Sequence, residues 1–483
     1  MVIIMYRYSP ILISALIIFT ISSCNKDDGK IPVTSSSEEA TSEYRTGLDL
    51  LDKLQVQESR QHFRNAIGKD PDFALAYLNL AFAATSANEF FENLAKAVTL
   101  ADKVSEGERL WILGSDAGTN GFADKQRELY IKLITAYPND ERAHTILGNQ
   151  YFGQQEWAEA IKEYNKSNAI NPDFSPPYNQ LGYAHRSLGQ YDEAEKAFQK
   201  YIELIPNDPN PYDSYAELLM KMGKFEESIQ QYKKALMVNS NFVPSHIGIA
   251  SNLVYLGKYD EAREQLKKLE GMARNDGELR AAYFAKAITY VDEGNMEQAL
   301  TSFNQLYESN KKINDPVAMA NNLNIMGVLR LESGNYDEAQ ANFEKALESV
   351  QSSNHSQETK EGFQRAYVYN TAYRAAKEGD LEKAKSLAEE YQKQADQLGN
   401  ENTSRLAHQI KGIIALEEKD DDQAINELKQ ASQQDPYNLY RLAVAYSAKG
   451  DIQNSETYLY KALHFNIVNS FNFSLVRHMV KTM

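Results

Sequence analysis

Between residues 141 and 240 the apolar and small positions recur at a fixed offset. Leu147-Gly148, Tyr151, Trp157, Ala160, Tyr164 and Pro172 are followed 34 residues later by Leu181-Gly182, His185, Tyr191, Ala194, Phe198 and Pro206. A third copy keeps Tyr215-Ala216, Leu219, Phe225 and Tyr232 at the same offset, with Ser228 in the place of the alanine. A constant period of this length marks a repeat array, in which each unit buries its apolar face against its neighbours.

The residue types predict two helices per unit. The small residues Gly148, Gly182, Ala216 and Ala250 fall where large neighbours recur one turn away, so a second helix can approach closely, and Ala160, Ala194 and Ala262 supply its matching small surface. Gly189-Gln190-Tyr191-Asp192-Glu193-Ala194 and Gly257-Lys258-Tyr259-Asp260-Glu261-Ala262 read as a helix stop, a turn and an acidic first turn. Pro172 and Pro206 then end their units. In small residue, turn and proline alike, this pattern resembles the tetratricopeptide repeat (TPR) family.

Followed outward, the pattern gives units starting near 40, 74, 107, 141, 175, 209 and 243, a regular solenoid over 40–279. Over 280–483 the solenoid is looser, with units near 280, 320, 365, 405 and 436. Four of these are marked by the turns Glu293-Gly294-Asn295, Ser333-Gly334-Asn335, Glu378-Gly379-Asp380 and Lys449-Gly450-Asp451. Their spacing implies longer helices. Val468, Phe471, Leu475 and Met479 share one helical face and predict a C-terminal capping helix. The expected fold is therefore all-α: a TPR superhelical solenoid of about twelve helix-turn-helix units, closed by that helix.

With 483 residues and 42% apolar composition the chain can bury a large core, drawn out as a stack. The formal charge is −16, and because Arg7 is the only charge in residues 1–23, their removal takes it to −17. Such a chain is a poor candidate for binding nucleic acid or lipid head groups by charge.

The N-terminus reads as a targeting segment outside the fold. Arg7 is the positive start, Ile11 to Ile21 an apolar run too short for a comfortable transmembrane helix, and Ile21-Ser22-Ser23-Cys24 a cleavage site. This resembles the lipobox of bacterial lipoproteins. Residues 1–23 would be the signal peptide, and Cys24, the only cysteine, would be lipidated as the first mature residue. Residues 24–39 are Ser/Thr/Glu-rich without apolar periodicity and read as a flexible tether. Asn25, where the inner-membrane retention signal has aspartate, implies sorting to the outer membrane. Lys26-Asp27-Asp28 resembles the export signal that carries some lipoproteins to the cell surface, the plain alternative being a solvated tether.

Catalytic motifs are missing from the sequence. It holds no His-Glu-x-x-His, no Gly-x-Ser-x-Gly, no phosphate-binding Gly-rich loop and no cysteine pair. The eight histidines lack metal-ligand spacing, and His144, His246 and His408 stand at packing positions. Glu417-Glu418 and Asp420-Asp421-Asp422 lack the calcium-loop spacing and glycine. No metal, cofactor or enzymatic activity is expected.

The inner surface of the superhelix remains, where the first helix of each unit faces the ligand in the TPR family. That resemblance places Arg142, Asn149, Asn179, Tyr183, Arg186, Asp213 and Glu217 in a ligand groove. Two arginines, two asparagines and a tyrosine suit a carboxylate or an extended peptide backbone, while Asp213 and Glu217 oppose an anion. The lysines of the family's carboxylate clamp are missing. Three function classes follow: a lipid-anchored scaffold for protein or peptide partners at the outer membrane, a fixed subunit of an outer-membrane assembly or secretin-type machine, and a glycan-binding lipoprotein of a nutrient-uptake system. The last would need exposed tryptophans, and only Trp111 and Trp157 exist.

Overall fold

The computed structural model describes residues 29–481, and within them every regular element is helical. The first three helix pairs are α1 (Glu38–Asp52) with α2 (Val56–Lys69), α3 (Ala74–Phe82) with α4 (Ala87–Leu100), and α5 (Glu106–Thr119) with α6 (Ala123–Ala136). Units four to seven are α7 (Glu141–Gly153) and α8 (Trp157–Ile170), α9 (Pro176–Ser187) and α10 (Tyr191–Leu204), α11 (Asn210–Lys221) and α12 (Phe225–Val238), and α13 (Val243–Tyr255) and α14 (Tyr259–Met272). Units eight to ten are α15 (Asp276–Glu293) and α16 (Met296–Lys312), α17 (Pro316–Glu332) and α18 (Tyr336–Gln351), and α19 (Gln357–Glu378) and α20 (Leu381–Leu398). Units eleven and twelve are α21 (Glu401–Glu418) with α22 (Asp421–Gln430) and α23 (Pro436–Ala448) with α24 (Ile452–Leu463), after which α25 (Phe471–Lys481) ends the described chain.

Within a unit the two helices meet where the sequence is small. A Cβ on Gly148 would stand 2.5 Å from Tyr164 Cε1, and one on Gly182 would stand 2.4 Å from Phe198 Cε1, so each aromatic ring of the second helix rests directly on the glycine of the first. Ala160, Ala194 and Ala262 are fully buried. Gly189 and Gly257 hold φ of 74° and 75°, the left-handed region a tight turn needs. His144, His246 and His408 pack as expected, each bonded to a side chain 19 residues on: Glu163, Gln265 and Glu427. Helices of units one to seven run 9–15 residues, whereas α15 to α21 run 16–22, the lengthening implied by the wider spacing.

The superhelix returns on itself, which the period alone does not disclose. The first turn of α2 meets the residues just before α15 through Glu58–Arg274 (2.8 Å) and Gln57–Asn275 (3.1 Å). The loop before α4 meets the same region through the Thr85 carbonyl and Arg280, and the first residue of α4, Ala87, donates to Asp315 before α17. The turn of unit three takes Asn400 (2.9 Å), and the turn of unit four takes Asn402, Arg405 and Ser432. Turns of the first superhelical round thus abut the unit junctions of the second.

The C-terminal helix covers α23 and α24, as a capping helix does, and also packs on α15. Phe473, Leu475 and Val476 are buried in one core with Ile288, Val291 and Phe303. The linker before it lies along the inner helices: Lys221 Nζ donates to the Phe465 carbonyl, Tyr255 OH to the Ile467 carbonyl, and Asn469 N to Ser251 Oγ.

One expectation is corrected. The flexible tether assigned to residues 24–39 is, over residues 29–37, an ordered strap, and α1 already begins at Glu38 behind the Ser37 cap. Its main-chain donors are taken by carboxylates at three successive unit junctions: Ile31 N by Asp140 (2.8 Å), Thr34 N by Glu108 (2.8 Å) and Ser36 N by Asp70 (2.7 Å). Ile31 and Val33 pack on the core of the first units. Polar composition signalled disorder, but backbone hydrogen bonds and two half-buried aliphatics hold the segment. The signal peptide (1–23) and Cys24 lie outside the described residues.

Candidate functional site

The inner face of units one to five encloses a chamber of about 440 Å³. Arg142, Asn149 and Asn179 line it, so the structure brings together three of the seven expected groove residues. Asn149, from the middle of α7, is exposed and its Oδ1 accepts the Tyr164 hydroxyl (2.8 Å). Asn179, from the first turn of α9, is buried, and no described residue donates to its Oδ1. The same holds for Gln154 Oε1, at the end of α7. Gln126, Gln150 and Gln180 add further amides, and Leu48, Leu51, Leu54 and Phe82 form an apolar wall, with Leu54 and Phe82 46% and 44% exposed.

Arg142 is not free for an incoming carboxylate. Its guanidinium grips Asp52 at the end of α1 with both nitrogens, Nη1–Oδ1 at 3.0 Å and Nη2–Oδ2 at 2.6 Å. Burial works against its charge, but the Asp52 carboxylate outweighs burial and holds the pKa above its ordinary value. The chamber therefore presents a neutralised ion pair and a set of amides.

The other four expected residues form a second cluster. Arg186 pairs with Glu217 (3.0 Å) and lies over the Tyr183 ring, whose hydroxyl donates to Ser214 (3.3 Å). Asp213, expected to face a groove, is buried and accepts the Ser245 hydroxyl (2.6 Å). Burial, with the nearby Glu217 charge second, pushes its pKa well above the usual carboxylate range. Lys221, at the end of α11, has its pKa lowered to about 7 by burial and then by Arg186, and its ammonium sits 3.7 Å from the centre of the Phe465 ring in the C-terminal linker.

The sequence reading passed over Asp52, Gln150 and Gln154. The density of Asn and Gln at 149, 150, 154, 179 and 180 was a visible signal. Asp52 lies 90 residues from its arginine, beyond any local pattern. Among the described residues no group of three His, Cys, Asp or Glu side chains is placed to hold a metal ion, and no helix is long and apolar enough to cross a membrane.

Descriptions of the tetratricopeptide repeat match residues 176–208, 278–352, 210–242 and 436–465, and a TPR repeat description matches 148–189. No curated protein matches the sequence. Among solved structures, a tetratricopeptide repeat protein from Parabacteroides merdae is 18% identical, with a TM-score of 0.38, covering 54% of this chain and 98% of that one. The Cut9-Hcn1 hetero-tetramer of APC/C gives 15% identity, a TM-score of 0.41 and coverage of 88% and 76%. Yeast Tom70 gives 18%, 0.37, and 58% and 63%.

Proposed function

The chain is a tetratricopeptide repeat protein, and from that premise we propose that it is a non-catalytic scaffold, lipid-anchored through Cys24 at the bacterial outer membrane, that holds a partner protein segment in the chamber of units one to five. The observation that carries the reading is the pair of buried acceptors, Gln154 Oε1 and Asn179 Oδ1, lining a chamber with an aliphatic wall. A buried polar atom without a partner costs about 1–3 kcal/mol; both oxygens are covered in the free protein, so a bound segment that brings N–H donors recovers that cost once the two amides turn toward the chamber. With Arg142 held by Asp52, the fitting segment is an uncharged internal stretch of chain with aliphatic side chains.

The test places a photo-crosslinking residue at Asn149, inside the chamber, and at Met237, on the outside and 79% exposed, in the anchored protein in intact cells. The expected result is one discrete adduct from position 149 that Met237 does not give, and that is lost when Gln154→Leu and Asn179→Leu are combined. Equal adducts from both positions, or none from 149, would remove the chamber from the reading. Anchoring is checked separately: Cys24→Ser should leave the membrane fraction with its helicity intact, and unchanged partitioning would reject the lipid.

A further inference from the structure

The strap ties the beginning of the fold to a place far from α1. Along it, Lys30 meets Glu141 and Ile31 meets Asp140 at unit four, Thr34 meets Glu108 at unit three, and Ser35 and Ser36 meet Asp70 between units one and two. Residues 30 to 37 thus run opposite to the order of the units, about one carboxylate for every two to four residues. The carboxylates already serve the helix ends: Asp140 caps α7 through Ala143 N (2.7 Å), and Glu108 closes the capping box of α5 on Ser105 N (3.0 Å). Gly29 leaves the strap beside Asn139.

We infer that this strap fixes how the solenoid stands on a bilayer: the unit-junction edge of units two to five faces the lipid, and units eight to twelve point away from it. The inference rests on the reading that Cys24 carries the lipid. From Cys24 to Gly29 there are five Cα steps, which span at most about 18 Å fully extended. Had residues 29–37 been free, the fourteen steps to Glu38 would have reached about 50 Å and left the orientation unset. The opposite edge of the first round, carrying the first turn of α2 and the turns at Gly121 and Gly153, is occupied by the junctions of units eight, eleven and twelve. Strap and second round therefore lie on opposite edges, and an anchor held short on one edge holds the second round distal.

The experiment uses the membrane-extracted full protein reconstituted in phosphatidylcholine vesicles bearing a headgroup energy acceptor. A fluorescent amino acid is placed at Asp173, exposed at the junction of units four and five, or at Tyr460, exposed on α24. Transfer at least threefold stronger from 173 than from 460 is expected. A twelve-residue Gly/Ser insertion after Asp28, which leaves the strap contacts untouched, should bring the two positions to within about twofold of each other. Equal transfer from both positions in the unmodified chain, stronger transfer from 460, or no effect of the insertion would overturn the inference. Flotation of the protein reports the lipid separately. Where Cys24 proves unlipidated, its thiol, the only one in the chain, is coupled to a maleimide phospholipid and the same measurement decides the strap geometry alone.

Discussion

Replacing Asp292 with alanine should release the C-terminal helix from the body of the solenoid. Asp292 is fully buried at the end of α15. Its Oδ2 accepts Arg477 Nε at 2.7 Å, and its Oδ1 accepts Lys481 Nζ at 2.8 Å and the Tyr259 hydroxyl at 2.8 Å. A hydrogen bond to a charged group contributes about 1.5–3 kcal/mol. The Arg477 side chain is only 16% exposed and should give most of that, whereas Lys481, 46% exposed, is screened and gives about 0–1 kcal/mol. Truncation also strands the Arg477 charge, although its guanidinium keeps the rings of Tyr255 (4.9 Å) and Phe473 (5.7 Å) beneath it. The expected loss is about 3 kcal/mol, at the lower end of what breaking a buried pair costs. Amide exchange should rise first in α25 and then in α15, and a double-mutant cycle with Arg477→Met should return a coupling of about 1.5–3 kcal/mol. A coupling below about 0.5 kcal/mol, or unchanged exchange in α25, would refute the account.

The other predictions concern single contacts. Ala194→Leu, at a fully buried position packed with Phe198 and Leu218, should cost about 1–3 kcal/mol and raise amide exchange in α9 to α12; unchanged denaturation would show that no tight contact exists there. Gly182→Ala puts a methyl 2.4 Å from the Phe198 ring and should lower stability by about 1–3 kcal/mol, read by urea denaturation, while a neutral effect would mean the ring shifts freely. Asp213→Asn should stabilise the fold at neutral pH. The folded pKa is raised by burial and by Glu217, so the wild type suffers no penalty below the unfolded carboxyl pKa and loses stability as pH rises from there through the raised value. The advantage of the asparagine should therefore be near zero at pH 3.5 and on the order of 1 kcal/mol or more at pH 7.5; parallel stability curves over that range would show that the ionised carboxylate is accommodated.

The repeat was legible because its cause is local. Gly182 and Phe198 stand 16 residues apart in one unit, and the same contact recurs at that offset between Gly47 and Phe63, Gly114 and Tyr130, Gly148 and Tyr164, and Gly327 and Phe343. Unit starts downstream were less sharply marked. Readings near 280, 320, 365 and 405 compare with helices beginning at Asp276, Pro316, Gln357 and Glu401, each behind a side-chain cap at Asn275, Asp315, Ser356 or Asn400. There the longer helices extend past the positions that the turn motifs mark. The superhelical closure left no trace in the pattern, since curvature accumulates from small rotations between units and no residue pair announces it. Arg142 illustrates the result for the candidate site: its inward position was legible from the register, and its neutralisation by Asp52 was not. The strap was not legible because its acceptors, Asp70, Glu108 and Asp140, lie 34, 74 and 109 residues from the main-chain donors they take, beyond any local pattern.

Closure of the superhelix also constrains how such a gene can change. In an open repeat array, duplication or loss of one unit leaves every other interface as it was, and array length drifts easily. Here Arg274 must find Glu58, Arg280 the Thr85 carbonyl, Asn400 the Gly121 carbonyl and Arg405 the Gln154 carbonyl, each across about six to eight units. An inserted or deleted unit between those partners would shift the whole second round by one step along the first and offer each side chain a foreign turn. Unit number is thereby locked in the interior of the gene, and tolerated length variation is confined to exposed turns of the second round such as those at Gly334 and Gly450, whose glycines face no other unit.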